Sequence, residues 1–492
     1  MNSPLQRGKG SRFFARQGGF AELNIYFELR KKIITEMKSR IVFKYSLMLL
    51  DGIVLYTIFL VYSALRTDVE FVSEYWYRAV LPLVITWVVI DSVGGYNRNT
   101  DMQSLSYTSK HILAVGVIFV MTVLMIYFFS YKPSLQFSRS VLPSSFITFF
   151  FISLAYRRII HSRFARVRRR QFYIVIGTGE TAQELYRAYM ESSIEQSLRF
   201  FDINEERAGT PIDGDGSPII EGNLLHLLRN VKRNCAGIVA TETKETLGNE
   251  IYSLLVKLHF QNIPMIPIRL FFEQNFKKIP LFILNKWWLI EDDLLLAHEP
   301  FFHNLKRGID LAAAVVLSVI TSPLLIIIAS AIRLESKGPA IFKQIRLGKN
   351  EVPFTMFKFR TMYEHADLSE KYTHAHDSRI TKIGKFLRLL RVDELPQLIN
   401  VIIGEMSMIG PRAEWIDVTR EYEKKIQYYN YRHIVKPGIT GWAQVNYKYG
   451  ENINDTIEKL QYDLFYISHY SFLLDFDIFL KTLYVIVLGK GR

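Results

Sequence analysis

The sequence predicts three parts in series: a membrane α-helical bundle of four spanning helices, a Rossmann-like α/β module, and an α/β domain opened by a broken, re-entrant apolar helix. Three observations predict this. Four apolar runs crowd the first third of the chain, at 45–65, 80–93, 112–130 and 141–156. A strand-like run followed by Gly177-Thr178-Gly179 comes after them. A fifth apolar run, 309–332, carries Ser322-Pro323 near its middle. The boundaries read as a basic segment 1–44, the bundle 45–160, the module 171–300 and the last domain 303–492.

The bundle comes first. Most of its runs approach the ~20 residues that cross a bilayer; the second is short and holds Pro82 and Asp91. Hydrophobic residues make up 49% of the chain and aromatics 14%, which is rich for a soluble protein and fits lipid contact. Basic residues set orientation. Arg30, Lys31, Lys32, Lys38, Arg40 and Lys44 precede the first run; Arg157, Arg158, Arg163, Arg166, Arg168, Arg169 and Arg170 follow the fourth. Both ends of the bundle therefore read as cytoplasmic, with the arginine run as a headgroup anchor. The first forty-odd residues are polar and basic, unlike a cleavable signal segment. Asp51 and Asp91 sit in or beside apolar runs, where carboxylates are functional candidates, although both could simply face neighbouring helices or the interface.

The α/β module follows. The run at 172–176 with Gly177-Thr178-Gly179 and a helix-like 180–190 is how a phosphate-cradling strand–loop–helix begins. Ala182 stands where the fingerprint has its third glycine, and Asp202 is a poor ribose-binding acid. A structural Rossmann-like domain is the plainer reading, with a dinucleotide site as the alternative. Segments 237–242 and 263–268 read as further strands. Cys235 is the single cysteine, so no internal disulfide or cysteine-based metal site is open to this chain; it reads as a small buried hydrophobe.

The fifth run is long enough to span. Yet Lys306 and Arg307 precede it and Arg333 and Lys337 follow it, so the positive-inside rule puts both ends on one side. Pro323 removes a helix hydrogen bond, and Ser322 or Thr321 can cap the freed carbonyls. Two half-helices of roughly 15 Å each would enter and leave by the cytoplasmic face. A kinked spanning helix is the alternative.

Beyond 335 the chain is charged and motif-dense. The net charge of +14 could serve nucleic acid, anionic headgroups or phosphorylated substrates; the membrane runs favour the last two, and nucleic acid is not an expected partner. Phe357-Lys358-Phe359-Arg360 would give a strand one basic and one apolar face. Arg388 and Arg412 are rigid forks for phosphate oxygens, and Arg346 lies in a further motif, Phe342–Gly348. Asp393 and Glu394 are adjacent, so on a helix they point apart and take distinct jobs. Pro396 suits a first helical turn, which sets Asp393 near a helix start, where the dipole favours its ionised form. With a divalent cation and arginines nearby, such a carboxylate suits attack on phosphorus. The structural alternative is that Asp393 only caps a helix, Arg388 only pairs with it, and the strand charges are solvated.

These motifs resemble the bacterial sugar transferase family, the polyprenyl-phosphate hexose-1-phosphate transferases. The resemblance runs from about 303 to the end: K-R-G-I-D-L at 306–311, the Ser322-Pro323 break, F-K-F-R-T-M, D-E-L-P-Q-L, G-E-M-S-M-I-G-P-R, and K-P-G-I-T-G-W-A-Q-V at 436–445. The front half is similar in architecture to the long, exopolysaccharide-type members. The resemblance implies a monotopic, cytosolic catalytic domain on a bacterial inner membrane. Its substrates would be a UDP-sugar, glucose or galactose most readily, and undecaprenyl phosphate. Asp393 would be the nucleophile in a ping-pong reaction releasing UMP through a covalent phosphosugar, with Glu394 assisting. Mg²⁺ would be the cofactor, with Asp393 and Glu394 as its ligands. Lys358, Arg360, Arg388, Arg412 and Arg346 would bind phosphate or substrate. Membrane lipids and a second copy of the chain are its further implied partners.

Two departures stand out. Ala413 follows Gly410-Pro411-Arg412 where the family usually has proline, and Leu389 replaces a second basic residue, with Arg391 as a substitute. The aromatic-rich stretch 440–470 reads as core or interfacial belt, with stacking on a base or sugar as the alternative, and 471–488 as a surface-lying amphipathic segment. Two rival readings exist: a non-enzymatic polysaccharide-assembly scaffold, and a membrane nucleotide-sugar dehydratase. The second wants a further glycine-rich loop and a Tyr-x-x-x-Lys pair, which residues beyond 300 do not contain.

Overall fold

The computed structural model describes residues 41–65, 80–97, 100–129, 141–168, 171–284 apart from short breaks, 300–363, 379–447 and 452–487. Arg169, Arg170, Tyr449 and most of the predicted segment 1–44 lie outside them. The chain divides into two compact units, 1–178 with 195–266, and 179–194 with 267–492.

The first unit is helical at its start. Helices α1 (Ile41–Ala64), α2 (Val80–Ser92), α3 (Leu105–Phe129) and α4 (Val141–Arg168) match the four apolar runs. Of these, α1 and most of α3 (Leu105–Met125) are long and apolar enough to cross a membrane, while Pro82–Ser92 is a shorter apolar helix. The apolar run inside α4 continues into a basic half, so the helix outlasts the predicted end at 156 by twelve residues. A core of Leu55, Phe59, Ile90, Val115, Ile118, Phe146 and Phe149 joins the four.

Polar groups stitch this bundle. Both Asp51 oxygens accept from the Arg157 guanidinium, at 2.9 and 2.5 Å, and the Tyr96 and Tyr156 hydroxyls also donate to them. Asp51 and Arg157 are fully buried. Arg157, expected among the headgroup anchors, is therefore an internal partner: a buried carboxylate needs a paired cation more than the headgroups need one more arginine. Asp91 pairs with Lys44 at 2.7 Å on the exposed side.

The same unit holds a four-stranded sheet, β1 (Phe172–Ile176), β2 (Ser197–Phe201), β3 (Cys235–Ala240) and β4 (Met265–Pro267), in the order β2-β1-β3-β4. β1 runs parallel to both β2 and β3. Parallel strands need crossover connections, and α6 (Leu224–Arg229) and α7 (Lys244–Phe260) supply apolar faces to the β1–β3 core. Helix α5 (Glu180–Met190) belongs to the second unit. The glycine turn after β1 has Gly177 at φ 110°, a conformation that disfavours a side chain. Asp202 accepts from the Thr178 hydroxyl at 3.0 Å and from the Arg207 backbone, so this carboxylate braces its own loop.

The second unit continues with α8 (Ile268–Asn275) and then α9 (Pro300–Glu335). The predicted break at Ser322-Pro323 is confined to the hydrogen-bond ladder: α9 is one continuous helix with Pro323 inside it. Proline leaves the Val319 carbonyl without its donor, and the Ser322 hydroxyl takes it at 2.8 Å, while Thr321 donates to Leu317. Both ends of α9 dock on the same domain. Near its start Lys306 meets Asp475 at 2.6 Å, Arg307 donates to the Ile402 carbonyl, and Asp310 accepts from the Ser407 hydroxyl at 2.7 Å. Near its end Ile328 and Ile332 pack with Phe359 and Leu387, and Glu335 accepts from the Ile383 amide. Between these contacts Val319, Ile320, Ile326 and Ile327 are each about two-thirds exposed.

The domain under α9 comprises a β5 (Ile341–Leu347)–β6 (Pro353–Phe359) antiparallel hairpin, α10 (Lys382–Leu389), a 3₁₀ turn Val392–Gln397 and α11 (Leu398–Ile403). After these come β7 (Ser407–Ile409), α12 (Ile416–Lys425), β8 (Gly438–Thr440), α13 (Trp442–Asn446), α14 (Ile453–Ser468) and α15 (Phe472–Val487). β7 and β8 are parallel. A β-carbon on Gly410 or Gly438 would collide with the opposing backbone, so the two chains approach this closely only because both lack one. Trp442, Phe465, Tyr466 and Tyr470 are core residues, which decides between the two readings of that aromatic stretch. Along α15, Asp475, Asp477 and Ile478 face inward while Leu473, Phe479, Leu483 and Tyr484 are exposed, as an amphipathic helix requires.

Candidate active site

Strand β6 supplies Lys358. Its period-two pattern sets Lys358 on the face of Phe354 and Met356, both buried against Leu398 and Val401 of α11. The strand therefore lacks the separate basic face expected of it. Lys358 continues an apolar face inward, and its side chain is 17% exposed. Asn400, fully buried in the otherwise apolar α11, locks the strand: its side chain accepts from the Phe357 amide and donates to the Thr355 carbonyl. The one signal of this clamp in the sequence is a single polar residue inside Leu398–Ile403.

The 3₁₀ turn Val392–Gln397 supplies the carboxylates. It starts from Arg391 in a left-handed conformation, φ 55°, and Asp393 is its second residue. This agrees with a helix start for Asp393. Glu394 turns inward; its Oε1 accepts from Arg412 at 2.8 Å and from Lys358 at 3.3 Å. Burial alone would raise Glu394, but Arg412 and Lys358 hold its carboxyl well below the usual carboxylate range. Burial pushes Lys358 down to about 8 even with Glu394 beside it, because Arg412 and Arg346 oppose its charge. Asp393 is half-buried, and desolvation followed by the Glu394 charge raises it, against Lys358, Arg412 and Arg388. Its ionised form is thus less favoured than the dipole alone suggests. A small cleft opens beside Lys358 and Arg412, lined also by Met356, Gln397, Met406, Ala413 and Gly438.

Lys358 and Arg412 bond Glu394, and the charges of Lys358, Arg412 and Arg388 all lower Asp393. Arg388, in the last turn of α10, donates to the Thr361 hydroxyl at 2.9 Å. Arg391 acts on Glu394, which fits its proposed substitution for the basic residue absent at 389; Leu389 itself is half-exposed. Arg346 donates to the Ala413 carbonyl at 2.7 Å and to Gln344. That contact fixes the turn after Arg412 without the usual proline. Arg360 does a different job from the one expected. Its guanidinium donates to the Lys337 and Ser336 carbonyls at 2.7 and 2.8 Å and so caps the end of α9. A further arginine went unnoticed in the sequence: Arg432, buried, donates to the Arg412 carbonyl at 2.9 Å and pairs with Asp463 at 2.8 Å.

This arrangement can receive a diphosphate on Arg412, Lys358 and Arg388 and present a carboxylate to phosphorus. For a metal it offers two consecutive carboxylates, and no group of three or more His, Cys, Asp or Glu suited to one occurs among the described residues. Such a set fits Mg²⁺, which keeps water and substrate phosphates as most of its ligands.

Sequence comparisons give a family for the segment that carries these residues. The model of the bacterial sugar transferase family matches residues 301–489. The chain is 37% identical over 255 residues to an Aeromonas hydrophila UDP-N-acetylgalactosamine-undecaprenyl-phosphate N-acetylgalactosaminephosphotransferase, covering 52% of this chain and 59% of that protein. It is 43% identical over 192 residues to a Klebsiella pneumoniae UDP-glucose:undecaprenyl-phosphate glucose-1-phosphate transferase, covering 38% of this chain and 41% of that protein. An uncharacterized Bacillus subtilis sugar transferase is 40% identical over 187 residues, 38% of this chain and 89% of its own length. The chain thus spans about two-fifths to three-fifths of the first two relatives and nearly all of the third. By its motifs, its paired carboxylates and these matches, this chain belongs to the bacterial sugar transferase family.

Proposed function

We propose that this chain transfers a hexose-1-phosphate from a UDP-sugar to undecaprenyl phosphate, releasing UMP, as the first membrane step of a surface polysaccharide. One observation carries the reading: Asp393 stands on a short turn beside a Glu394–Lys358–Arg412 cluster that opens on a cleft. An Asp393 oxygen attacks the sugar-bearing phosphorus. The bond to the bridging oxygen breaks, and UMP leaves with its electron pair. The polyprenyl phosphate oxygen then attacks the same phosphorus and expels the Asp393 carboxylate, leaving a polyprenyl diphosphosugar. Arg412, Lys358 and Arg388 hold the phosphates in line, and fixed charges of this kind are among the largest contributions to catalysis. Mg²⁺, held by Asp393 and Glu394, would offset the diphosphate charge. Glucose and galactose are the first donors to try; the relatives' names add N-acetylgalactosamine.

The setting is a bacterial inner membrane with the catalytic domain in the cytosol. Helix α9 enters and leaves by one face. From Asp310 to Glu335 a straight helix measures about 38 Å, more than the ~30 Å hydrocarbon core, yet both residues bond to one charged domain that cannot occupy both sides. All of α1–α4 span, and the β2-β1-β3-β4 sheet is a Rossmann-like module. A homodimer completes the reading.

The test is UMP release from a panel of UDP-sugars with undecaprenyl phosphate and Mg²⁺, comparing wild type with Asp393→Asn. Turnover for one sugar, lost in the variant, supports the reaction. Full activity in Asp393→Asn, or no UMP from any sugar, sinks it.

A further inference from the structure

A second basic cluster lies at the opposite end of the β5–β6 hairpin from the carboxylates, at the foot of α9. The chain's geometry brings it together. β6 runs in the same direction as α9, since Phe354 and Met356 pack against Ala314 while Phe359 packs against Ile332. The hairpin turn carrying Lys349 is thereby delivered towards the first turns of α9. Lys436 immediately precedes Pro437, whose carbonyl accepts from the Ser407 amide; the Ser407 hydroxyl in turn donates to Asp310 of α9. His303 lies seven residues before Asp310, on the same helical face. The charges of Lys349 and Lys436 both act on His303, and those of Arg307 and Lys349 both act on Lys436.

His303, Lys349 and Lys436 are each half-buried. None forms an ion pair among the described residues, although the Asp310 charge acts on His303 and Lys436. The acids nearby are committed: Asp310 accepts from Ser407 and the Met408 amide, and Asp475 from Lys306 and Tyr466. Burial, then Arg307 and Lys349, push Lys436 below its ordinary value. Burial, then Lys349 and Lys436, also hold His303 below its ordinary value, so it serves as a hydrogen-bond donor beside two half-buried lysine cations. With Asp310 as their one nearby counter-charge among the described residues, such cations are costly unless a further anion joins them. The exposed apolar side chains of α9 begin at the same level, with Phe301, Leu305 and Ile309 open to the surroundings. This is the depth of lipid phosphates for a helix that dips into the bilayer.

We infer that His303, Lys349 and Lys436 form a phosphate site for an anionic phospholipid headgroup, separate from the Asp393 centre. The inference rests on α9 entering the membrane and not on the transfer reaction. It gives the domain a fixed point against the membrane plane, where the first turns of a long helix add their own attraction for an anion.

The experiment is native mass spectrometry of the full chain in neutral detergent, titrated with phosphatidylglycerol, phosphatidylcholine or inorganic phosphate. Wild type should retain a phosphatidylglycerol adduct that Lys349→Ala and Lys436→Ala each weaken roughly fivefold. Phosphatidylcholine should bind equally to all three proteins. Asp393→Asn should keep the adduct, which separates this site from the reaction. Unchanged phosphatidylglycerol retention in both lysine variants would overturn the proposal. Displacement of the lipid by millimolar inorganic phosphate would overturn the headgroup assignment in favour of a free-phosphate site. A detergent melting curve matching wild type shows that a weakened variant is folded; should Lys349→Ala melt early, Lys349→Gln gives the same reading.

Discussion

Arg412 donates to Glu394 Oε1 at 2.8 Å, and it is the same oxygen that takes Lys358. Glu394 is therefore the anion that holds these two cations together. On the proposed function, a diphosphate would find these cations already gathered and would share them with Glu394.

Arg412→Ala should lower the rate of UMP release by roughly 10²–10³-fold, the size of losing one preorganised charge donor. Arg412→Lys should recover only part of this, because a point charge lacks the two-pronged geometry of guanidinium. Rates within threefold of wild type for Arg412→Ala would remove it from the phosphate site.

Activity should fall as pH rises above about 8, where burial leaves Lys358 to lose its proton. Lys358→Arg cannot deprotonate in this range, so its high-pH limb should move upward even if its maximum is lower. An unchanged alkaline limb in that variant would assign the loss to another group. For stability the sign is opposite. The folded state binds fewer protons than the unfolded chain between about 8 and the free lysine value, so Lys358 favours folding more as pH rises through that window.

Asp463 offers a stability readout. Burial, against the neighbouring Arg432, raises its pKa to about 6. Folded Asp463 thus keeps a proton that the unfolded side chain releases near 4. Stability should decline as pH rises from about 4 to about 6, and Asp463→Asn should flatten that slope in thermal melts. Arg432→Ala should cost about 3–5 kcal/mol, because it strands a buried carboxylate, and should also loosen the Arg412 backbone.

The topology of α9 can be read by thiol labelling in a Cys235→Ser background. Single cysteines at Phe301 and Leu334, both strongly exposed, should react with an impermeant reagent only from the cytosolic side. Labelling of the two from opposite sides would make α9 a spanning helix. Pro323→Ala restores the amide donor to Val319 and should shift the helix towards spanning.

In the bundle, Asp51→Asn or Arg157→Met alone should destabilise strongly, by about 3–5 kcal/mol, and the double apolar replacement Asp51→Leu with Arg157→Met should cost less than either. A double variant weaker than the singles, in detergent melts, would show that the tyrosine hydroxyls depend on the pair.

The sequence by itself determined the apolar runs, including 309–332 with a hydroxyl at Ser322 or Thr321 to take the proline-freed carbonyl, the helix start at Asp393 and the family. Each of these depends on local chemistry: apolar run length, proline geometry, and motif residues a few positions apart. Only the tertiary structure decided which charges work together. It committed Arg360 to the end of α9, turned Lys358 inward and drew Arg157 onto Asp51 across 106 positions of chain. It also revealed Asn400 and Arg432, whose partners are non-local. Charge pairing of this kind is fixed by burial, which makes an unpaired ion costly, and burial is a property of the packed chain that no window of sequence contains.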